Sequence, residues 1–323
     1  MQTIYGVPPQ TVQDDLNQLN RALDNQVARQ RHDNLIIGTW NLRSFSSLSR
    51  KWTATGNDSP KRDLRALLAI GDIIKRFDVC AVQEVMGNLR ALRDLLKYLG
   101  DDWAFLMTDI TLGDAGNKER LAYIYNSKRV QPSGLACEIV IPPEIIADRS
   151  RINTQFVRTP YAVSFKAGKE TFILLTAHID YGHSAHDRIP ELKAIARWMA
   201  DWAKKTNRYH QNLLLLGDFN IDRHGSDLWQ AFTSTGLYVP NALHNVKRSI
   251  FTGDHDSPMA DKFYDQIAWF KSGSNRARLN MEFISAGGFD FLPHVYSDQN
   301  LNKTSISFRL SDHYPLWVEF KRG

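Results

Sequence analysis

The sequence predicts an α/β protein whose mixed sheets are covered by helices, and three observations predict it. Short apolar runs rich in β-branched residues, such as LIIGTWN at 35–41 and DVCAVQE at 78–84, alternate with segments of helical periodicity. TFILLTAHI at 171–179 and NLLLLGDFN at 212–220 are apolar almost throughout, as strands covered on both faces are. Hairpin-like and βαβ-like orders are mixed along the chain, so both parallel and antiparallel pairs are expected.

The elements follow in order. Residues 9–31 are polar and glycine-free. They place Leu16, Leu19, Leu23 and Val27 at spacings of three and four, one narrow apolar stripe on a helix. Thr11 is the expected cap, after Pro8 and Pro9. Two uses of this helix are open: packing on the main body, or association with a second copy or another partner. A buried strand runs from Asn34, followed by a long loop from Ser44 to Pro60 rich in Ser, Thr, Gly and Asn. Loops of that length in a compact domain are often functional. Pro60 opens a helix whose apolar face is Leu64, Leu67, Leu68, Ile70, Ile73 and Ile74. After the strand at 78–84, a helix runs from Asn88 to Tyr98 and stops at Gly100. WAFLMTDI, RLAYIYN and LACEIVI are further strands, and YAVSFKAGKETFILLTAHI is a hairpin turning at 167–169. Asp187–Lys205 is a helix with Leu192, Ile195, Ala196 and Met199 inward. A short helix covers Ser226–Thr233, and DKFYDQIAWF and HYPLWVEF are the last strands.

Composition narrows the class. Of 323 residues, 43% are hydrophobic and 23% charged, which excludes a disordered chain, a collagen-like repeat and a coiled-coil rod. No aliphatic run, Leu213–Leu216 included, approaches the ~20 residues that span a bilayer. MQTIYGVPPQ lacks the basic and apolar regions of a secretory leader, so cytoplasm is the expected compartment. Two cysteines cannot build a disulfide scaffold or a cysteine zinc site, and Cys80 reads as a plain buried thiol. Lys plus Arg number 40 against 35 Asp plus Glu, a net charge of +5.

One pattern recurs. An apolar strand runs into metal- or phosphate-competent side chains, and the chain then turns. It happens at Trp40-Asn41, Gln83-Glu84, His178, Asp218 with Asn220, Tyr264-Asp265 and Asp312-His313. Any one of these can be an ordinary turn; six together point to the loop layer at a sheet edge, where active sites sit. Glu84, Asp218 and Asp312 are hard oxygen donors, and Asn41 and Asn220 add amides. Such a set suits Mg²⁺, Mn²⁺ or Ca²⁺ rather than zinc. His178 and His313 are the candidate acid and base, because imidazole titrates near neutrality. Together these groups fit hydrolysis of a phosphate ester, the metal neutralising developing charge and one histidine preparing the attacking water. Tyr264 reads as packing. His183, His186, His224, His244, His255 and His294 lie in polar loops and read as surface residues.

TWNLR at 39–43, QE at 83–84, TAH at 176–178, GDFN at 217–220, YDQI at 264–267 and SDHYP at 311–315 resemble, in order, the motifs of the endonuclease/exonuclease/phosphatase superfamily. The segment Lys118-Glu119-Arg120, then Arg158-Thr159-Pro160 and the SDHYP run, resemble its deoxyribonuclease I branch. The resemblance implies a four-layer α/β/β/α sandwich. It implies one catalytic domain over 34–323, with residues 1–33 an added extension carrying the accessory helix. It also implies that Glu119 hydrogen-bonds His178 and Asp265 hydrogen-bonds His313, with the two imidazoles on opposite sides of the scissile phosphate. Glu84 would hold the metal with Asp312 and Asn41 near it. Asp218 and Asn220 would orient water, metal or phosphate, and Arg43 and Arg158 would grip phosphate oxygens.

Three departures accompany it. Met86 and Asn117 stand where that branch places groove-reading Arg and Tyr, and Asp222 and Arg223 stand where it has a cysteine pair. The loop 44–60 and the residues after it offer Arg50, Lys51, Trp52, Lys61 and Arg62, either as substitute nucleic-acid contacts or as a solvated loop anchored by one Trp. The leading expectation is a metal-dependent phosphodiesterase that cleaves nucleic acid, DNA first, as an endonuclease. The alternatives are the same chemistry on phosphoinositides, sphingomyelin or small nucleotides, and a non-catalytic nucleic-acid-binding module. The basic excess is expected to surround the acidic centre and attract a polyanion.

Overall fold

Alternation along the first strand sets out the layers. β1 (Asn34–Phe45) turns Leu35 and Ile37 into one core and Ile36, Trp40 and Leu42 into another, so its sheet is covered on both faces. The computed structural model describes residues 6–111, 118–140, 156–205, 212–271 and 279–323. In it, β1 lies between β2 (Val79–Met86), which runs parallel, and β12 (Leu316–Lys321), which runs antiparallel. β4 (Glu119–Asn126) and β3 (Trp103–Met107) extend the sheet beyond β2, and β11 (Phe283–Gly288) extends it beyond β12. The second six-stranded sheet has the order β5 (Gln131–Glu138), β6 (Tyr161–Ala167), β7 (Glu170–His178), β8 (Asn212–Asp218), β10 (Asp265–Phe270) and β9 (Leu237–Tyr238). Its one parallel pair is β7 with β8.

The two inner faces share a core that includes Ile37, Val79, Tyr123, Phe165 and Leu174. Tyr123 donates its hydroxyl to the Leu174 carbonyl at 2.8 Å, and Gln83 Nε2 donates to Thr176 Oγ1 at 2.9 Å, both across that interface. The outer face of the first sheet is covered by α1 (Gln10–Gln26), α2 (Leu64–Ile74) and α3 (Arg90–Leu99). α4 (Ala185–Lys204) and α5 (Asp227–Thr233) cover the second. This is the α/β/β/α sandwich the motifs implied. No helix among the described residues is long and apolar enough to cross a membrane.

Boundaries moved where capping decides them. α2 begins at Leu64 rather than Pro60, because the Asp63 side chain accepts the Ala66 N–H. Thr11 does not cap α1; it lies inside the helix, which follows Pro9 without a side-chain cap. α4 begins at Ala185, two residues early, with Asp187 accepting the Ser184 N–H at 2.9 Å. The stripe of α1 is used within the chain, since Leu19, Leu23 and Val27 are buried against the first sheet's outer core. Asp15 on the same helix pairs with the buried Arg65 of α2 and accepts from the backbone of Tyr296. β9, β11 and the short α6 (Lys303–Ser307) were not foreseen; two strand residues or a run such as SAGG carry too little periodicity. The end of LACEIVI and Asn117 lie outside the described residues.

Gly217, before the site residue Asp218, needs its missing side chain. Its φ is +138°, and a Cβ there would stand 2.1 Å from the Ala177 carbonyl of β7.

Candidate active site

Strand direction gathers the site. β1, β2, β7 and β8 run toward one edge of the sandwich, where their last residues include Asn41, Glu84, His178 and Asp218. β4 and β10 run the opposite way, so their first residues, Glu119 and Asp265, arrive at the same edge, and His313 precedes antiparallel β12 there. Asp218 pairs in register with His178 on one side and Asp265 on the other.

Two imidazoles face each other across Asp218. His178 Nδ1 lies 2.8 Å from Glu119 Oε2, and His313 Nδ1 lies 2.7 Å from Asp265 Oδ2. A carboxylate on Nδ1 requires the proton there and leaves Nε2 for chemistry. Both Nε2 atoms point at Asp218 Oδ2, at 3.6 and 3.7 Å. Asp218 Oδ1 accepts the Asn220 N–H at 2.9 Å, and Asn220 Nδ2 donates to the Ile179 carbonyl. The amide of Asn41 then joins two carboxylates, donating to Asp218 at 3.0 Å and Glu84 at 2.9 Å, while its Oδ1 accepts the Arg43 N–H. The second oxygen of Glu84 accepts the Ser44 N–H.

Burial and these contacts set the proton affinities. Burial pulls His178 down, but the Glu119 hydrogen bond outweighs it and raises the ring. Burial also opposes charge on His313, yet the carboxylates of Asp265 and Asp218 raise it well above the ordinary imidazole range. Burial lifts Asp265 to about 6. The proton of that pair resides on the ring, because the ring faces two carboxylates and Asp265 faces only one imidazole. Burial would raise Asp218 too, but the His313 and His178 rings hold it below the usual carboxylate value.

The backbone is strained where these groups sit. Seven non-glycine residues among those described have positive φ, and five of them, Arg43, Ser44, Glu84, Lys118 and Asn220, are in or beside the site. Strain of that kind clusters where a fold must aim side chains.

Every other site residue foreseen from the sequence is at this edge. Glu119 is buried. Arg158 is buried, with Nε 3.1 Å from Glu119 and Nη1 3.4 Å from Asp180. Arg43 reaches Asp312 at 3.2 Å and Ser307 at 2.6 Å, its guanidinium 4.2 Å from the Phe308 ring centroid. Tyr264 packs against His313, ring centroids 5.7 Å apart.

Two expectations need correction. The basic loop set is largely spent on the loop itself. Arg62 is buried, donating to the carbonyls of Leu42, Arg43, Ser44, Arg309 and Leu310. Lys51 pairs with Asp58, Lys61 donates to the Thr55 and Gly56 carbonyls, and Trp52 packs on the outer core. Of the histidines assigned to the surface, His183, His186 and His255 are exposed, but His224, His244 and His294 are half-buried. His224 and His244 make tilted and edge-on ring contacts with each other and with Trp229 and Phe263, and His294 stacks on Phe289.

Sequence reasoning missed the groups that hold the loops. Arg188 donates to the carbonyls of Tyr181 and Asn220 and pairs with Asp222. Arg248, fully buried, donates to the carbonyls of Asp265, Leu243 and Val246. Glu191 accepts the N–H groups of Val157 and Asp180. None stands in a motif, so spacing carried no signal for them.

The donor chemistry fits a hard divalent ion. Glu84 and Asp312 are half-buried carboxylates at the open side, and Mg²⁺ asks only one or two carboxylates while keeping several waters. Asp218, Asp265 and His313 are the group of three donors, among the described residues, close enough to share an ion. His313 Nδ1 is already hydrogen-bonded to Asp265, however, so that trio acts first as a proton-holding pair facing Asp218.

Residues 38–312 match the endonuclease/exonuclease/phosphatase family. The chain belongs to that family. A deoxyribonuclease of Thioalkalivibrio sp. (strain K90mix) is 30% identical over 296 residues, covering 89% of this chain and 71% of that protein. Deoxyribonuclease-1-like 1 of Sus scrofa is 26% identical over 263 residues, covering 78% of this chain and 73% of its own. Among solved structures, a mannosyl-6-phosphatase of Bacteroides thetaiotaomicron superposes with a TM-score of 0.57 at 16% identity, over 88% of this chain and 99% of that one. That last likeness speaks for the fold alone. As a member of the endonuclease/exonuclease/phosphatase family, the chain is an enzyme, a metal-dependent hydrolase of phosphate esters.

Proposed function

We propose that the protein is a deoxyribonuclease that cleaves phosphodiester bonds of DNA internally, with His178 and His313 as the acid–base pair. The observation that carries this is the convergence of two carboxylate-backed imidazoles on Asp218. The 30% identical deoxyribonuclease relative supports DNA as the substrate.

In this scheme the scissile phosphate lies between the two rings. Water attacks phosphorus; one imidazole takes the water's proton through Nε2, and the other gives a proton to the leaving oxygen as the P–O bond breaks. Glu119 and Asp265 hold the rings in the tautomer that leaves Nε2 free. Asp218 and Asn220 position the water, and Asn41 fixes Asp218 against Glu84. Arg158 and Arg43 grip non-bridging oxygens. Glu84, with Asp312, Asn41 and Asp218 beside it, would hold Mg²⁺, Mn²⁺ or Ca²⁺, which supplies charge neutralisation to the phosphate.

Residues 34–323 form the catalytic domain in this account, and residues 1–33 are an extension fastened to it through Asp15, Leu19 and Leu23.

Plasmid nicking tests the proposal. Supercoiled DNA should become nicked with Mg²⁺ or Mn²⁺, stay intact with EDTA, and stay intact with His178→Ala. If the purified protein leaves supercoiled, linear and single-stranded DNA untouched under every metal, yet releases phosphate from a lipid or nucleotide ester, the same machinery serves another phosphoester.

A further inference from the structure

We infer that the open basic pocket at the start of α3 is a second phosphate-binding site, holding the nucleic-acid strand a few nucleotides from the scissile bond. The inference rests on the nuclease proposal and adds where the strand runs.

The pocket has a volume of about 490 Å³. Arg50, from the loop after β1, meets Asn88, Arg90, Arg93 and Lys97, from the start and body of α3. The loop is tied to the helix there, the Ser46 carbonyl accepting the Ala91 N–H at 2.9 Å. Four cationic side chains therefore line one cavity, against one carboxylate, Asp94. That carboxylate is buried and lies 3.4 Å from Lys97 Nζ. Asn88 Oδ1 accepts the Arg90 N–H at 3.0 Å, so the part of its amide left to the pocket is a donor. A cavity of donors and positive charge selects an anion bearing several oxygens.

Its position identifies that anion. Gly87, on the pocket wall, is three residues from Glu84, so their Cα atoms are at most about 10 Å apart. Phosphates along one strand advance about 3.4 Å each along the helix axis, so this wall of the pocket is within about three nucleotides of Glu84. With Lys51, Lys61 and Arg62 committed to loop contacts, this pocket keeps a basic patch beside the site.

The test compares wild type with Arg90→Gln/Arg93→Gln, both exposed on the helix surface, and with Arg90→Lys/Arg93→Lys. Binding of a fluorescent duplex is read by anisotropy in EDTA, where no turnover occurs, across salt concentrations. The glutamine variant should bind about tenfold more weakly, with a log Kd against log salt slope shallower by about two. The lysine variant should restore both. Steady-state cleavage should show the loss in KM with kcat unchanged, and hydrolysis of bis(p-nitrophenyl) phosphate, too small to reach the pocket, should match wild type. Equal affinity and slope in wild type and the glutamine variant would overturn the site, as would wild type that binds no duplex. Charge-dependent binding to phosphatidylserine vesicles in place of duplex would overturn it in favour of a membrane surface. If wild type binds duplex through these arginines but never cleaves it, the pocket stands and the nuclease proposal fails.

Discussion

His178 and Glu119 belong to different sheets, and the 2.8 Å contact between Nδ1 and Oε2 joins them at the sandwich edge. The imidazole is carried by β7 and its orienting carboxylate by β4, so neither sheet alone makes a competent base. Glu119→Gln should lower kcat for plasmid nicking by about 10- to 100-fold with little change in KM, the usual cost of losing a group that orients a catalytic ligand. His178→Ala should cost about 10²- to 10⁴-fold. The double variant should be no slower than His178→Ala, since the two act as a unit; additive losses would show that Glu119 works independently.

Proton affinity makes stability fall with rising pH in the metal-free enzyme. His178 and His313 hold protons more tightly folded than unfolded, and Asp265 is lifted to about 6. A raised value contributes stability that is fully present below the unfolded value and is lost as pH rises through the folded one. The window for the two rings therefore opens above about 6.5, the ordinary imidazole value. The melting temperature in EDTA should decline from pH 6.5 upward, and His313→Asn should flatten that decline. An unchanged slope in the variant would place the titration elsewhere.

The extension is fastened by a buried ion pair. Asp15 contacts the Arg65 guanidinium, Tyr296 N and Ser297, and Arg65 also reaches Asp298 at 2.7 Å. Removing Asp15 leaves Arg65 with Asp298 alone and strands the buried Tyr296 N–H, a loss of about 1–3 kcal/mol. Asp15→Ala should lower urea stability by that amount, while kcat of the folded fraction stays at the wild-type value. Full stability on its removal would mean that α1 packs without this contact.

Metal dependence should localise to Glu84. EDTA should abolish turnover, and added Mn²⁺ should restore it. Glu84→Gln should raise the Mn²⁺ concentration for half-maximal rate by about tenfold or more. Calorimetric Mn²⁺ titration of both proteins without substrate checks this separately from activity; equal affinities would move the ion to another carboxylate.

Much of the fold was legible because its signals are local. Strands such as β7 and β8 declare themselves by nearly continuous apolarity, and α2 and α3 by helical spacing. What failed to show was either too short, as with β9, or non-periodic, as with β11. Arg62 illustrates a different limit. Its neighbours in sequence suggest a solvated basic loop, but five carbonyls converge on its guanidinium from segments as distant as Arg309 and Leu310, and no local pattern encodes such a convergence. Arg188, Arg248 and Glu191 were invisible for the same reason.

The sequence by itself determined which chemical groups end the strands: the ordered motifs from TWNLR to SDHYP name the carboxylates, amides and imidazoles of a phosphoester hydrolase. Only the tertiary structure decided that Asn41 couples Glu84 to Asp218, that Arg62 gathers carbonyls from β1 and from Arg309 and Leu310, and that Arg50 joins α3 in a basic pocket. Those relations depend on strand direction and on the packing of two sheets. A contact between residues 177 positions apart is set by the whole core rather than by any local run of side chains.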